Sequence, residues 1–241
     1  FFAPLADLSQ VYNTYQSAGA ALDRIYEYMS IKPAIQEVEK PQLPERIRGH
    51  IKFKGVNFSY EKDKVISDFN LEIKPGEVIA LVGPTGAGKT TIVNLLTRLY
   101  DIDEGEILID GVDLKQLPTE FLRKTISVVP QNVFLFDTTI KENIRYGNPT
   151  AEDNEIIEVA KQIQAHDFIK DLPEGYKTRV GEGGVKLSGG QKQLISFARA
   201  MLADPQILIL DEATSSVDAY TEVLIQEAMD KLLENRTVLM I

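Results

Sequence analysis

Apolar residues recur in steps of three and four over the first thirty residues, from Leu5 to Met29. The mean step of about 3.4 residues is typical of an α-helix with one apolar face and is close to a coiled-coil seam. The pattern therefore predicts one long helix over residues 4–29. Two interpretations stay open, namely an amphipathic helix packed on its own domain and a helix that continues from chain preceding Phe1.

The next segment differs in composition and predicts a linker followed by strands. Pro33, Pro41 and Pro44 lie among charged residues, which is typical of an extended linker over residues 31–49. Between Ile51 and Ile73 the apolar period changes to two. This alternation predicts antiparallel strands with one face in the core.

Three continuous apolar runs then predict strands that are buried on both faces. They are 78–82, 207–210 and 238–241. Helical patterns lie between them, so we expect an α/β core with a mainly parallel sheet. Residues 151–169 read as helical and are far from any strand signal, which predicts a separate helical lobe over about residues 135–190.

Charge and composition exclude several classes of protein. The 241 residues contain 36 Asp and Glu against 26 Lys and Arg, a net charge of −10. An acidic chain is not expected to bind nucleic acid, which usually requires a basic face. The absence of cysteine rules out disulfides, thiolate-bound zinc and thiol catalysis. No apolar run approaches the roughly 18–20 residues that span a bilayer.

A phosphate-binding motif follows the first buried run and opens a helical stretch. Its residues are Gly83, Pro84, Thr85, Gly86, Ala87, Gly88, Lys89 and Thr90, with Thr91 next. Glycines let backbone N–H groups close around phosphate oxygens, and the helix N-terminus adds its positive end. Lys89 can neutralise the β- and γ-phosphates, and the Thr90 hydroxyl can ligate Mg²⁺. The motif predicts nucleotide binding.

Two adjacent carboxylates end the second buried run. An Asp in the position of Asp211, at the carboxyl end of a strand beside a phosphate loop, holds Mg²⁺ in this class of site. Glu212 would then lie within reach of the water that attacks the γ-phosphate and could act as general base.

A second glycine turn precedes the helical run 192–202. The motif comprises Leu187, Ser188, Gly189, Gly190 and Gln191. It provides another helix N-terminus suited to an anion, whereas the chain has carboxylates for only one site. This imbalance predicts that two chains combine, each lending one loop to the other.

These motifs closely resemble the nucleotide-binding domains of ATP-binding-cassette (ABC) transporters, in which residues 187–191 correspond to the signature motif. The resemblance implies a P-loop NTPase core with a mainly parallel sheet, an antiparallel β subdomain and a helical lobe that carries the signature motif. It also implies that two such domains, in a homodimer or a heterodimer, meet head to tail. Each ATP then lies between the phosphate loop of one domain and the signature of the other.

The resemblance also implies roles for individual residues. Tyr60 would stack on adenine, and Gln131 would touch Mg²⁺ and sense the γ-phosphate. Asp218 would cross the dimer interface, while Ser188, Gly189, Gly190 and Gln191 would contact ATP in the partner's site. Glu212, Gln131 and Lys89 are thus the expected catalytic residues, and Thr90, Gln131 and Asp211 the expected Mg²⁺ ligands.

An exporter whose membrane and ATPase domains are fused is the subfamily that the chain resembles. Residues 178–184 are similar to the exporter-specific loop that contacts the transmembrane domains. Residues 1–30 look like the cytoplasmic extension of the last transmembrane helix, 31–49 like a linker and 50–241 like the nucleotide-binding domain. The implied location is the cytoplasmic face of a membrane.

One feature of the family is absent from this sequence. A histidine that contacts the γ-phosphate would follow shortly after Ile241, and neither His50 nor His166 matches its position. If these 241 residues are the complete polypeptide, we expect that it binds ATP and hydrolyses it poorly, and that it melts at a low temperature; if they are a portion of a longer protein, neither expectation applies to that protein.

The expected function is an ATP-hydrolysing motor that couples dimerisation to export. One alternative is a cassette ATPase of chromosome maintenance or DNA repair, but only 96 residues separate Thr90 from Leu187. That leaves no room for the long coiled-coil insertion of such proteins. A second alternative is an ATP-gated interaction module that does not hydrolyse. Glu212 argues against it.

Overall fold

A computed structural model of the chain describes residues 3–61, 63–181, 186–211 and 219–241. These residues form two compact units, 1–36 and 37–241. The first unit is built on helix α1 (Ala3–Ser30), which confirms the helix predicted from the apolar spacing. None of the described helices combines the length and the apolar content that crossing a bilayer requires. The domain boundaries at residues 30 and 49 stay predictions.

The second unit contains both strands and helices. The strands are β1 (Ile51–Tyr60), β2 (Asp63–Ile73), β3 (Val78–Ala80), β4 (Glu104–Ile109), β5 (Val112–Asp113), β6 (Ile126–Val129), β7 (Ile207–Leu210) and β8 (Thr237–Met240). The helices are α2 (Lys89–Leu96), α3 (Thr119–Thr125), α4 (Ile140–Arg145), α5 (Asp153–Gln162), α6 (His166–Lys170), α7 (Gly189–Leu202) and α8 (Ala219–Leu233). Two 3-10 turns cover Leu114–Gln116 and Gly175–Lys177.

The residues with period two form β1 and β2 of the predicted antiparallel sheet, whose strand order is β2-β1-β4-β5. Along β1 the buried side chains are Ile51, Phe53, Val56 and Phe58, so one face of the strand enters the core. The register of β1 against β2 shifts three times between Phe53 and Ser59. Such irregularities increase the local twist of the strand.

The three apolar runs belong to a parallel sheet, in the order β3-β8-β7-β6. All four residues of β7 are buried, as expected for a strand covered on both faces. Val238 and Leu239 of β8 are fully buried as well. The α/β class, the parallel sheet and the antiparallel subdomain that the sequence predicts are therefore present.

The strand in the first apolar run is shorter and more exposed than its composition predicted. The run 78–82 was expected to be a strand buried on both faces, but β3 ends at Ala80. Val78 is 48% exposed and Val82 is 90% exposed. In the described part of the sheet, β3 pairs with β8 alone, so an edge position explains the exposure of an apolar sequence.

The helical segment predicted over 151–169 is two helices that share a core with the parallel sheet. The helical conformation is interrupted at Gln164, whose φ of +58° lies in the left-handed region. Side chains of α4 and α5, such as Ile144 and Ile156, belong to the same buried cluster as Leu208 of β7. Helix α7 connects helices α4 and α5 to the parallel sheet, because its apolar residues also lie in that cluster.

Candidate functional site

Loop 83–90 follows β3 and includes the first two residues of α2, and glycines give it its shape. Gly86 and Gly88 have φ of +84° and +86°, in the left-handed region that glycine enters without strain. Gly88 is the N-cap of α2, and a Cβ at this position would lie 2.8 Å from Cδ1 of Ile66. The left-handed φ therefore favours glycine at position 88, and a methyl group there would also have to displace the end of the Ile66 side chain.

The ammonium group of Lys89 lies across its own loop. Its Nζ donates hydrogen bonds to the backbone oxygens of Gly83, at 2.7 Å, and Pro84, at 2.9 Å. Lys89 is also the first residue of α2, so its charge adds to the positive end of the helix. An anion that enters the loop would meet both positive groups.

A polar cavity of about 410 Å³ opens beside the loop. It is lined by Val65, Thr85, Gly86, Gly88, Lys89, Thr90, Thr91, Gln131, Asp211 and Ile241. All of these except Val65 and Ile241 are residues that the sequence predicted to bind phosphate or Mg²⁺. The fold thus gathers, around one cavity, candidate residues that lie far apart in the chain.

Gln131 and Asp211 reach the cavity because they follow neighbouring parallel strands. The last residues of β6 and β7, Val129 and Leu210, are paired in register. The backbone N–H of Asp211 donates to the carbonyl oxygen of Val129 at 3.0 Å and extends this pairing past the strand ends. Both residues therefore lie at the carboxyl edge of the sheet, where open α/β sheets bind their ligands.

The donor set at this edge fits a magnesium ion that is bound together with a nucleotide. Thr90, Gln131 and Asp211 offer a hydroxyl, an amide and a carboxylate oxygen to the same cavity. Among the described residues, no group of three His, Cys, Asp or Glu could hold a metal by itself. Mg²⁺ is commonly bound by one or two carboxylates, water and substrate phosphates, so a single Asp suits it.

The residues of the second glycine turn begin helix α7. The Ser188 side chain accepts a hydrogen bond from the Gln191 backbone at 3.2 Å, and the Gln191 side chain accepts one from the Ser188 backbone at 3.0 Å. This reciprocal capping box fixes the start of the helix. Ser188 and Gly189 are exposed and Gly190 is buried. None of these residues lines the cavity beside loop 83–90.

Tyr60 ends β1 and packs in a cluster of aromatic rings. Its ring centroid lies 4.8 Å from that of Phe58 and 5.1 Å from that of Tyr100, in T-shaped contacts of 87° and 89°. The Tyr60 hydroxyl accepts a hydrogen bond from the Asn94 amide at 3.3 Å. Tyr60 does not line the cavity, but Val65 of the paired strand does.

Two predicted site residues, Glu212 and Asp218, lie outside the described residues, as do residues 182–184 of the predicted exporter loop. Asp211 is therefore the member of the carboxylate pair whose placement contributes to the geometry given above. The roles of Glu212 as general base and of Asp218 at a dimer interface stay predictions.

Several polar residues that organise this region were not singled out from the sequence. Asn94 stands between the apolar residues Val93 and Leu95 of α2, and Arg199 interrupts the apolar end of α7. A polar residue inside an apolar stretch usually has a partner when it is buried. A polar residue within an apolar stretch was therefore the signal in the sequence for these contacts, but it does not reveal which residue is the partner.

Comparison with known proteins finds a matching family and several similar proteins. The ABC transporter family matches residues 66–215. The chain is 49% identical to the uncharacterized ABC transporter ATP-binding protein YknV of Bacillus subtilis, over 100% of this chain and 40% of that protein. It is 48% identical to a fatty acid ABC transporter ATP-binding/permease protein of Mycobacterium bovis, over 98% of this chain and 37% of that protein.

The chain is also similar to a lipid A-core flippase and to a solved exporter structure. The chain is 44% identical to the ATP-dependent lipid A-core flippase of Desulfotalea psychrophila, over 100% of this chain and 42% of that protein. A bacterial Atm1-family ABC exporter with ATP bound matches 99% of this chain and 42% of its own, with a TM-score of 0.88 and 38% identity. The chain thus spans about two fifths of the length of these relatives.

Proposed function

Because the chain belongs to the ABC transporter family, whose ATP-binding domains are ATPases, we propose that it binds Mg²⁺–ATP in the cavity beside loop 83–90. Water then cleaves the bond between the β- and γ-phosphates. The observation that carries this proposal is that Lys89, Thr90, Gln131 and Asp211 all line one polar cavity. Each supplies a group that phosphoryl transfer requires.

In this proposal the residues of the loop bind and neutralise the triphosphate. The glycine-rich backbone and the N-terminus of α2 bind phosphate oxygens. Lys89 exchanges its bonds to Gly83 and Pro84 for bonds to the β- and γ-phosphates. Thr90 and Asp211 would hold Mg²⁺ and Gln131 would contact it, and the ion, when bound, would supply positive charge to neutralise the phosphates.

The remaining catalytic role falls to Glu212, which directly follows Asp211 in the sequence. As general base it would take a proton from the water that attacks the γ-phosphate. Tyr60 would bind the other end of the nucleotide by stacking its ring on adenine. Aromatic side chains stack on the π-face of a base and do not need hydrogen bonds to its edge.

We further propose that the site is completed by a second nucleotide-binding domain. The N-terminus of α7 presents its positive end at the exposed residues Ser188 and Gly189, yet it does not line the cavity of its own chain. It could instead contact the γ-phosphate in the partner's site, with Gly190, Gln191 and Asp218 contributing to the interface. ATP binding would then hold two domains together, and hydrolysis would release them.

Transport is the proposed use of this cycle. Relatives that the chain matches over about two fifths of their length are ATP-binding/permease proteins, which supports transmembrane domains as partners of this chain. We therefore propose that the domain works at the cytoplasmic face of a membrane and drives export. The chain carries a net charge of −10, and no nucleic acid is a partner in this proposal.

Replacement of Glu212 by glutamine in the full-length transporter tests the ATPase mechanism. Loss of a general base is expected to lower the hydrolysis rate by about 10²–10⁴-fold while ATP still binds. The ATP-bound dimer should therefore accumulate and be detectable by size-exclusion chromatography or cross-linking. Glu227→Gln makes the same chemical change on the exposed face of α8 and should leave both rate and dimer unchanged.

Two outcomes would contradict the proposal. If Glu212→Gln hydrolyses ATP at the wild-type rate, then Glu212 is not the general base. If the unaltered transporter binds ATP but shows no turnover, and Glu212→Gln changes nothing, then the chain is an ATP-gated interaction module.

A further inference from the structure

The ring of Tyr60 is held by residues from two other parts of the fold. Its hydroxyl accepts a hydrogen bond from Asn94 at 3.3 Å. Its ring makes a T-shaped contact with Tyr100, with centroids 5.1 Å apart and planes at 89°. Phe58, two residues earlier on the same strand, makes the third contact. Tyr60 is therefore fixed from several directions, and two of the three groups lie outside its own strand.

Asn94 belongs to the helix that begins at the phosphate loop. It lies five residues after Lys89, in α2, so its position depends on the same helix that positions the loop. The backbone oxygen of Asn94 also accepts the N–H of Leu99 at 2.8 Å, and Tyr100 follows directly. The two partners of Tyr60 are thus linked to each other through one short segment of backbone.

We infer that Asn94 and Tyr100 are positioning residues for the nucleobase, which they serve by fixing the ring of Tyr60 relative to loop 83–90. The inference rests on the proposed function, since it requires that Tyr60 stack on adenine. It adds a physical link between the base end and the phosphate end of the site, through the Tyr60–Asn94 hydrogen bond and helix α2.

Fixing the ring before the nucleotide arrives improves binding because less side-chain freedom is then lost. Aromatic pairs in T-shaped contact resist rotation, and the hydroxyl bond sets the tilt of the ring. Tyr100 is 46% exposed, so burial alone does not explain why an aromatic residue stands there. Removal of either partner should leave Tyr60 in place but free to rotate.

The test compares ATP with inorganic tripolyphosphate, which contacts the phosphate loop but has no base. Dissociation constants of both are measured by calorimetry for the full-length transporter and its Asn94→Leu and Tyr100→Leu variants. Each variant should bind ATP about three- to tenfold more weakly and tripolyphosphate as well as before. Tyr100→Phe keeps the ring and is the matched control, which should bind both ligands normally.

A double-mutant cycle tests the hydrogen bond itself. Tyr60→Phe and Asn94→Leu each remove one partner of the same bond, so each should weaken ATP binding. The double variant should be no weaker than the weaker single variant. Full additivity of the two effects would overturn the inference.

The remaining outcomes separate this inference from the proposed function. If Tyr60→Ala binds ATP normally, the proposed contact with adenine is wrong. If Tyr60→Ala binds ATP weakly while Asn94→Leu and Tyr100→Leu bind it normally, only the positioning role is wrong. If Asn94→Leu or Tyr100→Leu weakens ATP and tripolyphosphate equally, the residue supports the phosphate loop instead, and the inference is overturned.

Discussion

The guanidinium group of Arg199 holds both ends of Asn143. Its Nε donates to the Asn143 backbone oxygen at 3.0 Å, and one terminal nitrogen donates to the Asn143 side-chain oxygen at 3.1 Å. The other terminal nitrogen donates to the backbone oxygen of Phe134 at 3.2 Å. Burial lowers the pKa of Arg199 below its usual value. These bonds join helix α7, which begins after Ser188, to the segment that follows Gln131.

Asn143 continues this junction on its other side. It is fully buried, and its side-chain oxygen accepts the N–H of Phe136 at 2.9 Å. Its side-chain nitrogen donates to the backbone oxygens of Phe136 and Thr139, both at 3.0 Å. One amide thus satisfies three backbone groups of the loop before α4 as well as Arg199.

We expect Asn143→Leu to lower the free energy of unfolding by about 2–4 kcal/mol, because it leaves three backbone groups of the loop before α4 without their side-chain partner and removes one of the hydrogen-bond acceptors of the half-buried Arg199. Urea unfolding at neutral pH measures the change. Asn154→Leu makes the same replacement at an exposed position of α5 and should change stability by less than about 0.5 kcal/mol. Equal unfolding midpoints for the two variants would contradict the prediction.

Gly147 lies against the same part of α7. A Cβ at this position would lie 2.0 Å from the backbone oxygen of Arg199 and 3.3 Å from the backbone nitrogen of Ala203. We expect Gly147→Ala to cost about 1–3 kcal/mol or more, since backbone atoms must move to admit the methyl group. Thermal melting checks this.

The control for this substitution is Gly19→Ala in α1, where nothing lies within 4 Å of the added carbon. Alanine has the higher helix propensity, so Gly19→Ala should leave stability unchanged or raise it slightly. A Gly147→Ala protein that melts at the wild-type temperature would show that α4 and α7 can separate without cost.

The predictions from the sequence agree with the structure where the features that determine the fold are local in the chain. Continuous apolar runs located β3, β7 and β8, the spacing of apolar residues located α1, and the motif at 83–90 located the loop, because these patterns act within a few residues. Asp211 could be placed at the carboxyl end of a strand from the apolar run before it, whereas Gln131 was indicated by the family resemblance alone. Chain-local patterns therefore indicated where the phosphate loop and Asp211 lie in the fold.

Contacts between distant segments could not be predicted in this way. Val78 and Val82 have the composition of a buried strand, and their exposure depends on which strands are neighbours in the sheet. Arg199 and Asn143 are 56 residues apart, and no local pattern pairs them. Tyr60 and Asn94 likewise meet only because β1 and α2 pack together. Such pairings depend on tertiary packing, which overrides local preference.

We expect the folded protein to lose stability in strong base because of the ionisation of Tyr176. Its hydroxyl lies 2.9 Å from Nδ1 of His166. Burial, followed by the negative charges of Asp167 and Glu158, raises the pKa of Tyr176 to about 12, against about 10 in an unfolded chain. Because the folded protein keeps this proton longer, the stabilisation is complete below pH 10 and is lost as the pH rises from 10 to about 12.

Comparison with Tyr176→Phe isolates this effect from the titration of lysines. The variant has no phenol to ionise, so its unfolding free energy should decline less steeply between pH 9 and 11.5 than that of the wild type. Urea unfolding over this pH range gives both slopes. Parallel curves would mean that the Tyr176 phenol titrates alike in the folded and unfolded states.

Lys89 is expected to contribute to ATP affinity and little to stability. Its ammonium group bonds only to backbone oxygens of Gly83 and Pro84 among the contacts of the described chain, and its loss leaves these oxygens accessible to water. Hydrogen bonds to charged groups contribute about 1.5–3 kcal/mol. Lys89→Met should therefore weaken ATP binding by about 10–100-fold and shift the melting temperature of the nucleotide-free protein little.

Lys74→Met separates this local effect from the change in net charge, since Lys74 is an exposed lysine in the turn after β2. It alters the charge by the same amount and should bind ATP nearly as tightly as the wild type. Calorimetric titration of both variants at low and high salt makes the comparison. Weak binding by Lys74→Met at low salt would show that long-range charge, which salt screens, accounts for the effect. If both variants bind ATP with wild-type affinity, the ammonium group keeps its bonds to the loop when the nucleotide is bound, and the phosphates are neutralised by the backbone and Mg²⁺ instead.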